Sequence, residues 1–538
     1  MVDDYIIPND LSGLGRLALI LVVFMLVTAV IRYYFNYLCG LVGQLVVKDL
    51  RIKVFGHIMS LGLPYFDKTP VGQSTTRTIS DIETINTIFT QGTVTIVADV
   101  LGMIAVLVIM FMTSIKLTLI CLICLPFIIY AGYIFKEKAK ISFNIVRNQI
   151  SRMNAFLNER ITGMRIVQIF NAEEPEKEKF RQINREYTQA NLDTNFYYAV
   201  FFPVVEIIQA VTLALMVWWG TRGTLNGDVT IGSLVAFPLY LTNLLRPVRM
   251  LADRFNILQM GLIAAERVFG ILDKEAGLTR NGDYVVEKLQ GEVIFDQVRF
   301  SYDGEVEVLK GISFRLNPGE TLAVVGATGS GKSTIINIIN RFYDIMSGSI
   351  TIDGRDIYTY EAKSLRGRIA LVLQDVFLFT GSVLDNITLR NEKFTRDEVI
   401  AAAKVIGAHA FIEKLPGAYE FQVMERGNNL SMGQRQLISF VRALVFNPDL
   451  LILDEATSSI DSETEQIIQN AILTLIKKRT SIIIAHRLST IRHADKIMVL
   501  DKGEIKEMGS HEELLKIPRG LYRKLYELQF AELLNERN

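Results

Sequence analysis

Apolar positions along this chain follow two regimes. Through the first half they form long runs, at roughly residues 17–47 (broken by Arg32), 88–112, 117–135, 196–219 and 231–245. A helix needs about 20 apolar residues to cross a hydrocarbon layer ~30 Å thick, so the pattern predicts five membrane-spanning helices. The second and third runs are joined only by Thr113-Ser114-Ile115-Lys116, and the fourth and fifth by residues 220–230. Long polar inserts, residues 48–87 and 136–195, separate the others. They keep a helical period, as in "NAFLNERITGMRIVQIFNAEEPEKEKF", which predicts helices running on past the membrane to tips near residues 80–85 and 159–164. From residue 290 onward, short β-like runs alternate with helical patterns, the signature of an α/β domain. The expected fold is therefore an α-helical transmembrane bundle followed by an α/β domain. The bundle with its helical extensions takes residues 1–275, a charged linker 276–290, and the second domain 291–538.

Charge fixes the orientation. The second insert carries Lys136, Lys138, Lys140, Arg147, Arg152, Arg160 and Arg165. Cationic loops stay on the cytoplasmic side, which places both inserts and the α/β half there. Five spans ending inside put the N-terminus outside. The acidic leader Met1-Val2-Asp3-Asp4 does not resemble a signal peptide. The simplest expectation is that one further membrane helix precedes this sequence; the alternative is a true five-span protein.

Composition adds exclusions. The chain has 538 residues, too many for one core; half are apolar and mean hydropathy is +0.28. Formal net charge is zero, so the bulk charge gives no sign of a nucleic-acid partner. Cys39, Cys121 and Cys124 all fall in apolar runs, which argues against a disulfide framework. Cys121 and Cys124 form a C-x-x-C, read here as small apolar packing residues.

The chemistry lies in the second half. In "LAVVGATGSGKSTIINII" a buried strand, a glycine loop and a helix follow one another. Gly326-Ala327-Thr328-Gly329-Ser330-Gly331-Lys332-Ser333, followed by Thr334, fits the G-x-x-x-x-G-K-[ST] phosphate loop. Its backbone N–H groups curl around phosphates, Lys332 reaches the β- and γ-phosphates of ATP, and Ser333 offers a hydroxyl to Mg²⁺. "LLILDEATSSID" is a buried strand ending in Asp454, a candidate Mg²⁺ partner, and Glu455, a candidate general base. A second anion-seeking feature stands at Leu430-Ser431-Met432-Gly433-Gln434, a polar cap opening a helix.

Together these elements resemble the nucleotide-binding domain of an ATP-binding cassette (ABC) transporter over residues 290–530. Tyr302 in "VRFSYDGEVEVLKGISF" resembles the aromatic that stacks on adenine. Gln374 in "LVLQDVFLFTGSVLDNI" resembles the glutamine that contacts Mg²⁺ and water and links to the membrane domain. "LSMGQ" resembles the family signature, Ser459-Ile460-Asp461 the loop after the catalytic glutamate, and His486 in "IIIAHRLST" the switch histidine. The resemblance implies that two cassettes pair head to tail, with Ser431 and Gly433 capping the γ-phosphate held by the partner, so each socket serves a different ATP. Met432 replaces the commoner glycine. "QVMERGNN" resembles the exporter cross-linking loop, with Met424 in place of a glycine and Glu425 and Arg426 kept.

A membrane domain preceding a cassette on one chain resembles exporter half-transporters of the multidrug and lipid type. That implies a second half-transporter subunit, identical or different, and tips that act as coupling helices. It also implies a multi-pass protein of the plasma or inner membrane with a cytoplasmic cassette, in contact with membrane lipid. Inside the spans, Glu206 and Gln209 in "FFPVVEIIQAVTLALMVWW", near Tyr197, Tyr198, Phe201 and Phe202, are candidates to meet a small amphipathic cargo, the carboxylate beside aromatic rings suiting a cation. An interhelical hydrogen bond is the competing role for Glu206. A soluble cassette ATPase and an ATP-gated membrane regulator are the alternatives. The apolar runs oppose the first, and an intact Glu455 and His486 oppose the second.

Overall fold

The computed structural model describes residues 2–227, 229–275, 280–454, 462–484 and 491–527. By internal contacts the chain divides into two compact units. One is Met1–Met59 with Pro70–Lys274, the other Ser60–Thr69 with Glu275–Asn538.

In the first unit, α1 (Leu11–Ser60) carries an almost wholly exposed apolar surface along its first half. A short helix, α2 (Leu63–Lys68), follows at the chain reversal. Helical segments from Val71 lead without reversal into α3 (Val94–Thr113). After the Ser114 N-cap come α4 (Ile115–Leu122) and α5 (Cys124–Thr162), which run almost end to end. The last two are α6 (Glu173–Leu225) and α7 (Ile231–Leu272). Among the described residues four helices are long and apolar enough to cross a membrane: α1, α3, α4 with α5, and α6. The fifth predicted run opens α7.

The long helices α5 and α6 pack side by side. Phe135 stacks on Phe201 at 4.4 Å and meets Tyr198 edge-on at 5.0 Å, and Ser142 and Thr194 share a 2.6 Å hydrogen bond. That pair lies in the polar insert, so the two helices stay together past the apolar runs. Cys121 and Cys124 sit in a core with Met110, Leu117, Met216 and Phe237, as free thiols, in the packing role expected of them.

The tips differ from expectation. Residues 80–85 lie inside the continuous helical run, not at a reversal. The first reversal falls around α2, where Gly62 is extended, Pro64 stands in the first turn and Pro70 follows the helix. Proline lacks the N–H that a helix interior uses and is favoured in a first turn, and with Gly62 extended before it and Pro70 after it the turn sits there. The second reversal begins at Gly163 and includes the short helix Met164–Ile169, so residues 159–164 mark its entrance.

In the second unit an antiparallel sheet joins β1 (Val293–Phe300), β2 (Leu309–Leu316) and β4 (Ser347–Ile352), with β3 (Thr321–Val325) belonging to the other sheet. β2 alternates, burying Leu309, Ile312, Phe314 and Leu316, and Phe314 stacks on Phe295 at 4.5 Å. A short strand, β5 (Arg355–Asp356), extends this sheet. The second sheet adds β6 (Ile369–Val372), β7 (Leu450–Asp454), β8 (Thr480–Ile484), β9 (Lys496–Asp501) and β10 (Glu504–Gly509), in the order β10-β9-β3-β8-β7-β6. All its neighbours are parallel except β10 on β9. β3 and β8 are buried at every position, as strands covered on both faces must be.

Candidate functional site: the phosphate loop and the signature helix

Ligands of open parallel sheets gather at the carboxyl ends of the strands. β3 runs into Gly326, and α8 (Lys332–Ile339) starts where the loop closes. Two positions of this loop admit only glycine. Gly331 has φ 104°, in the left-handed region, and a Cβ there would stand 2.8 Å from Leu309. A Cβ on Gly326 would lie 2.1 Å from the Leu500 carbonyl oxygen. Ala327, Thr328 and Gly329 form the exposed rim. Lys332 folds back over the loop, its Nζ donating to the carbonyls of Gly326 (2.8 Å) and Ala327 (2.9 Å). Burial holds its pKa below the ordinary lysine value, while Asp454 acts in the opposite sense. The Ser330 hydroxyl is buried with no hydrogen-bond partner among the described residues, a donor inside the cradle that an anion's oxygen would satisfy. Ser333, next along after Lys332, is exposed.

Register brings the acidic strand end to the same edge. Asp454 is level with Ile484, and Ile484 with Val324, so β8 alone separates Asp454 from the strand that feeds the loop. Two strand spacings make that about 10 Å. Glu455, Ser459, Asp461 and His486 lie outside the described residues.

Tyr302 stands beyond β1 and is 43% exposed. Its hydroxyl is 3.2 Å from Thr334 Oγ1 and accepts from Asn337 Nδ2 at 3.2 Å, and both partners belong to α8. Its ring meets Phe300 at 4.8 Å and Tyr343 at 5.0 Å, both edge-to-face. The exposed ring is a platform held by the helix that starts at the phosphate loop. Sequence reasoning missed Asn337 and Tyr343. The aromatic run "RFYD" after α8 was the available signal.

Gln374, exposed after β6, lines a cavity of about 180 Å³ with Asp375, Arg426, Met432, Arg435 and Gln436. Ser431 caps α9 (Met432–Val445): its Oγ accepts from Gln434 N at 3.2 Å, and Gln434 Oε1 accepts from Ser431 N at 3.0 Å. This reciprocal capping box satisfies two otherwise orphaned donors. Leu430 and Gly433 are buried, Met432 and Gln434 half-buried, and Ser431 exposed. The signature thus presents a hydroxyl and a helix N-terminus outward.

In the membrane unit, Glu206 lies exposed on α6 and Gln209 half-buried one turn on. Of the nearby aromatics, Tyr198 and Phe201 are engaged with Phe135, and Phe202 stacks at 6.1 Å on Tyr198.

A helical membrane unit joined to a cassette with a glycine cradle and a capped signature helix defines the class, and the comparisons agree. Residues 1–248 match the family "ABC transporter transmembrane region", and residues 309–458 match the family "ABC transporter". The chain belongs to the ABC transporter family, with the half-transporter arrangement of a membrane domain and a cassette on one chain. It is 38% identical over 537 residues to the ABC transporter ATP-binding protein YknV of Bacillus subtilis, covering 99% of this chain and 89% of that protein. It is 37% identical over 536 residues to the ATP-dependent lipid A-core flippase of Desulfotalea psychrophila, covering 98% of this chain and 92% of that protein. Among solved structures, a bacterial Atm1-family ABC exporter with ATP bound superposes with a TM-score of 0.78 at 31% identity, covering 97% of this chain and 93% of that one. The chain is a multi-pass membrane protein whose cassette hydrolyses ATP in support of transport, and its relatives are exporters.

Proposed function

We propose that this chain is one half of a dimeric exporter that moves a small amphipathic molecule, a drug or a lipid, out through the plasma or inner membrane. In this reading each ATP is held between the phosphate loop of one subunit and the Ser431 signature of the other. Gly326 to Thr334 hold the phosphates, Tyr302 stacks the adenine, and Ser333, Gln374 and Asp454 hold Mg²⁺. When bound, the metal neutralises charge on the phosphates. Glu455 takes the proton of the attacking water, His486 steadies the γ-phosphate, and Ser459 and Asp461 lie in the loop that follows the base. ATP binds only the closed pair, so it draws the cassettes together, and hydrolysis releases them. Glu206 and Gln209 face the cargo.

The observation that carries the proposal is the phosphate cradle, in which Lys332 curls over a loop whose buried Ser330 hydroxyl has no partner among the described residues. Support for export of lipids or drugs comes from the lipid A-core flippase relative, whose name states its own substrate and not this one's. The test is reconstitution in lipid vesicles with two readouts: ATPase stimulation by a panel of lipids and cationic amphiphiles, and ATP-dependent movement of those that stimulate. Movement that persists without ATP, or ATPase unaffected by every panel member and unaccompanied by movement, refutes it.

A further inference from the structure

Unpaired positive charge gathers at the edge of the cassette sheet opposite the phosphate loop. Thr480 opens β8, Leu450 opens β7, and Gly319 stands just before β3, so the amino ends of three parallel strands meet there. A cavity of about 1110 Å³ lies at these ends. Its charged lining is Lys288, Lys477, Lys478 and Arg479 against one carboxylate, Asp449. The whole chain has no formal net charge, so this excess is local. Asp449 is already engaged, its Oδ2 accepting from Leu289 N at 2.8 Å. Arg479 is half-buried and holds the end of the helix Ser462–Ile476, its Nη1 donating to the Leu475 carbonyl at 3.2 Å and its Nη2 to Asn447 Oδ1 at 2.9 Å. Those bonds use two of the five N–H groups of a guanidinium. Lys288, Lys477 and Lys478 are exposed, and their ammonium groups have neither an ion pair nor a hydrogen bond among the described residues. Lys478 stands just past the helix at φ 64°, the left-handed conformation that glycine or asparagine ordinarily supplies at a helix end.

We propose that this cavity is a second anion site, one that takes a small molecule carrying two or more phosphate groups and is separate from the phosphate loop. Cations near a helix C-terminus also serve to complement its dipole. Arg479 does that through the Leu475 carbonyl, whereas the three lysines make no such bond and are available to a ligand. An ammonium is a compact charge with three donors, matched to phosphate oxygens. The lysines come from two segments of chain, so a ligand charged at more than one point engages more of them than a single ion does. The volume points the same way: it stands at the upper end of the range for small-molecule sites, about 300–1,000 Å³, and exceeds what a lone phosphate fills. Val405, Leu444 and Pro448 leave part of the wall uncharged, which suits a molecule with an apolar or ring-bearing portion. Burial holds the Arg479 guanidinium below its ordinary pKa and Asp449 opposes that, so a further anion beside it acts in the same sense as Asp449. The two anion sites are independent. β8 is five residues long, which puts Thr480 about 13 Å from Ile484, the residue level with Asp454 at the nucleotide edge. Exposed charges farther apart than about 8 Å are largely screened at physiological salt.

The test uses the full-length protein in phosphatidylcholine nanodiscs, carrying Lys332→Ala and free of Mg²⁺ so that the phosphate loop does not compete. Inorganic tripolyphosphate is titrated by calorimetry, with citrate as a polyanion that lacks phosphate and an oligoglutamate peptide as an acidic chain. One saturable site is expected for tripolyphosphate, with weaker binding of citrate and slower hydrogen exchange in peptides spanning residues 286–292 and 474–482. Lys477→Gln together with Lys478→Gln should weaken binding about tenfold, a few-fold for each partly exposed ion pair lost, and Lys288→Gln alone a few-fold. Arg479 is left in place because it holds the helix end. Absence of saturable binding overturns the proposal, as does binding that the double variant leaves unchanged. Protection confined to the peptide over residues 324–336 overturns it too, since the probe is then in the phosphate loop. Tighter binding of oligoglutamate than of tripolyphosphate, lost in the same double variant, makes the surface a protein-docking one and overturns the small-molecule reading.

Discussion

Ser431 has two jobs that substitution can separate. Within its own chain it caps α9, and removing such a cap costs about 1 kcal/mol. The helix survives that loss, because Leu437, Ile438, Phe440 and Val441 bury its inner face in the core. In the proposed dimer the same hydroxyl meets a phosphate held by the partner. Aspartate caps a helix as well as serine does, but it brings a negative charge to that phosphate. Two like charges about 4 Å apart at an effective dielectric constant near 20 repel by about 4 kcal/mol. At about 1.4 kcal/mol per decade, that is roughly a thousandfold loss of the closed, ATP-bound pair. Ser431→Ala loses the cap and one charge-assisted hydrogen bond worth about 1.5–3 kcal/mol, so its ATPase rate should fall about 10- to 100-fold. The two variants should therefore rank in opposite orders. By thermal unfolding Ser431→Asp equals wild type and Ser431→Ala is lower, whereas by ATPase the alanine variant exceeds the aspartate one. A cap-only role predicts the same rank in both assays, with the aspartate variant near wild type. A Ser431→Asp protein that hydrolyses ATP at wild-type rate refutes the phosphate contact.

Lys332→Ala should abolish ATP binding, measured with a fluorescent ATP analogue, because it removes the cation that folds over the cradle; retained binding contradicts the phosphate-loop assignment. Glu455→Gln should bind ATP yet stall turnover and accumulate closed dimers on size-exclusion chromatography, and full hydrolysis in that variant removes Glu455 as the base. Glu320 is one of the cassette groups through which pH acts on stability. Burial alone would raise its pKa, but hydrogen bonds from Lys496 and the Asn317 backbone N–H outweigh that and hold it below the ordinary 4.5. A carboxyl with a lowered folded-state pKa stabilises above its unfolded value, and that contribution is lost as pH falls through the folded value. Glu320→Gln should thus lower the melting temperature at pH 7, and the gap should close below pH 4.5; a gap that persists in acid shows the pair is not its cause.

The parts of the site legible in sequence are those where a local steric or electrostatic demand admits few residues. Gly331, at positive φ against Leu309, and Gly326, pressed on the Leu500 carbonyl, leave no alternative to glycine, and the loop motif records that directly. The capping box of Ser431 with Gln434 is equally local, three residues apart. The first tip was misplaced because periodicity measures amphipathicity and is blind to reversal: the helical pattern is the same on both limbs, and only Gly62, Pro64 and Pro70 mark the turn. Tyr343 and Asp67 were invisible for a different reason. They are 276 residues apart, and no local pattern announces a hydrogen bond between a cassette tyrosine and a carboxylate in a short insert helix.

The same contrast separates the two halves of the chain. In the cassette, alternation along β2 and the apolar run Leu322 to Val325 along β3 report which faces are covered, because water penalises the wrong choice at each position. In α1 the apolar stretch is exposed on every side, so hydrophobicity says that the helix enters lipid and nothing about what it packs against. Association there depends on close contacts such as Phe135 on Phe201, which are not conspicuous among the surrounding apolar residues. That is why the phosphate loop and the Ser431 cap show as local patterns, while the ATP roles of single residues and the cargo roles of Glu206 and Gln209 are proposals. A carboxylate exposed on α6 within an apolar run is costly against lipid and tolerable only against protein, water or a cation, which gives a direct test. Glu206→Gln should leave basal ATPase intact and remove stimulation by cationic amphiphiles while sparing that by neutral lipids. Equal loss for both classes would make Glu206 a packing residue.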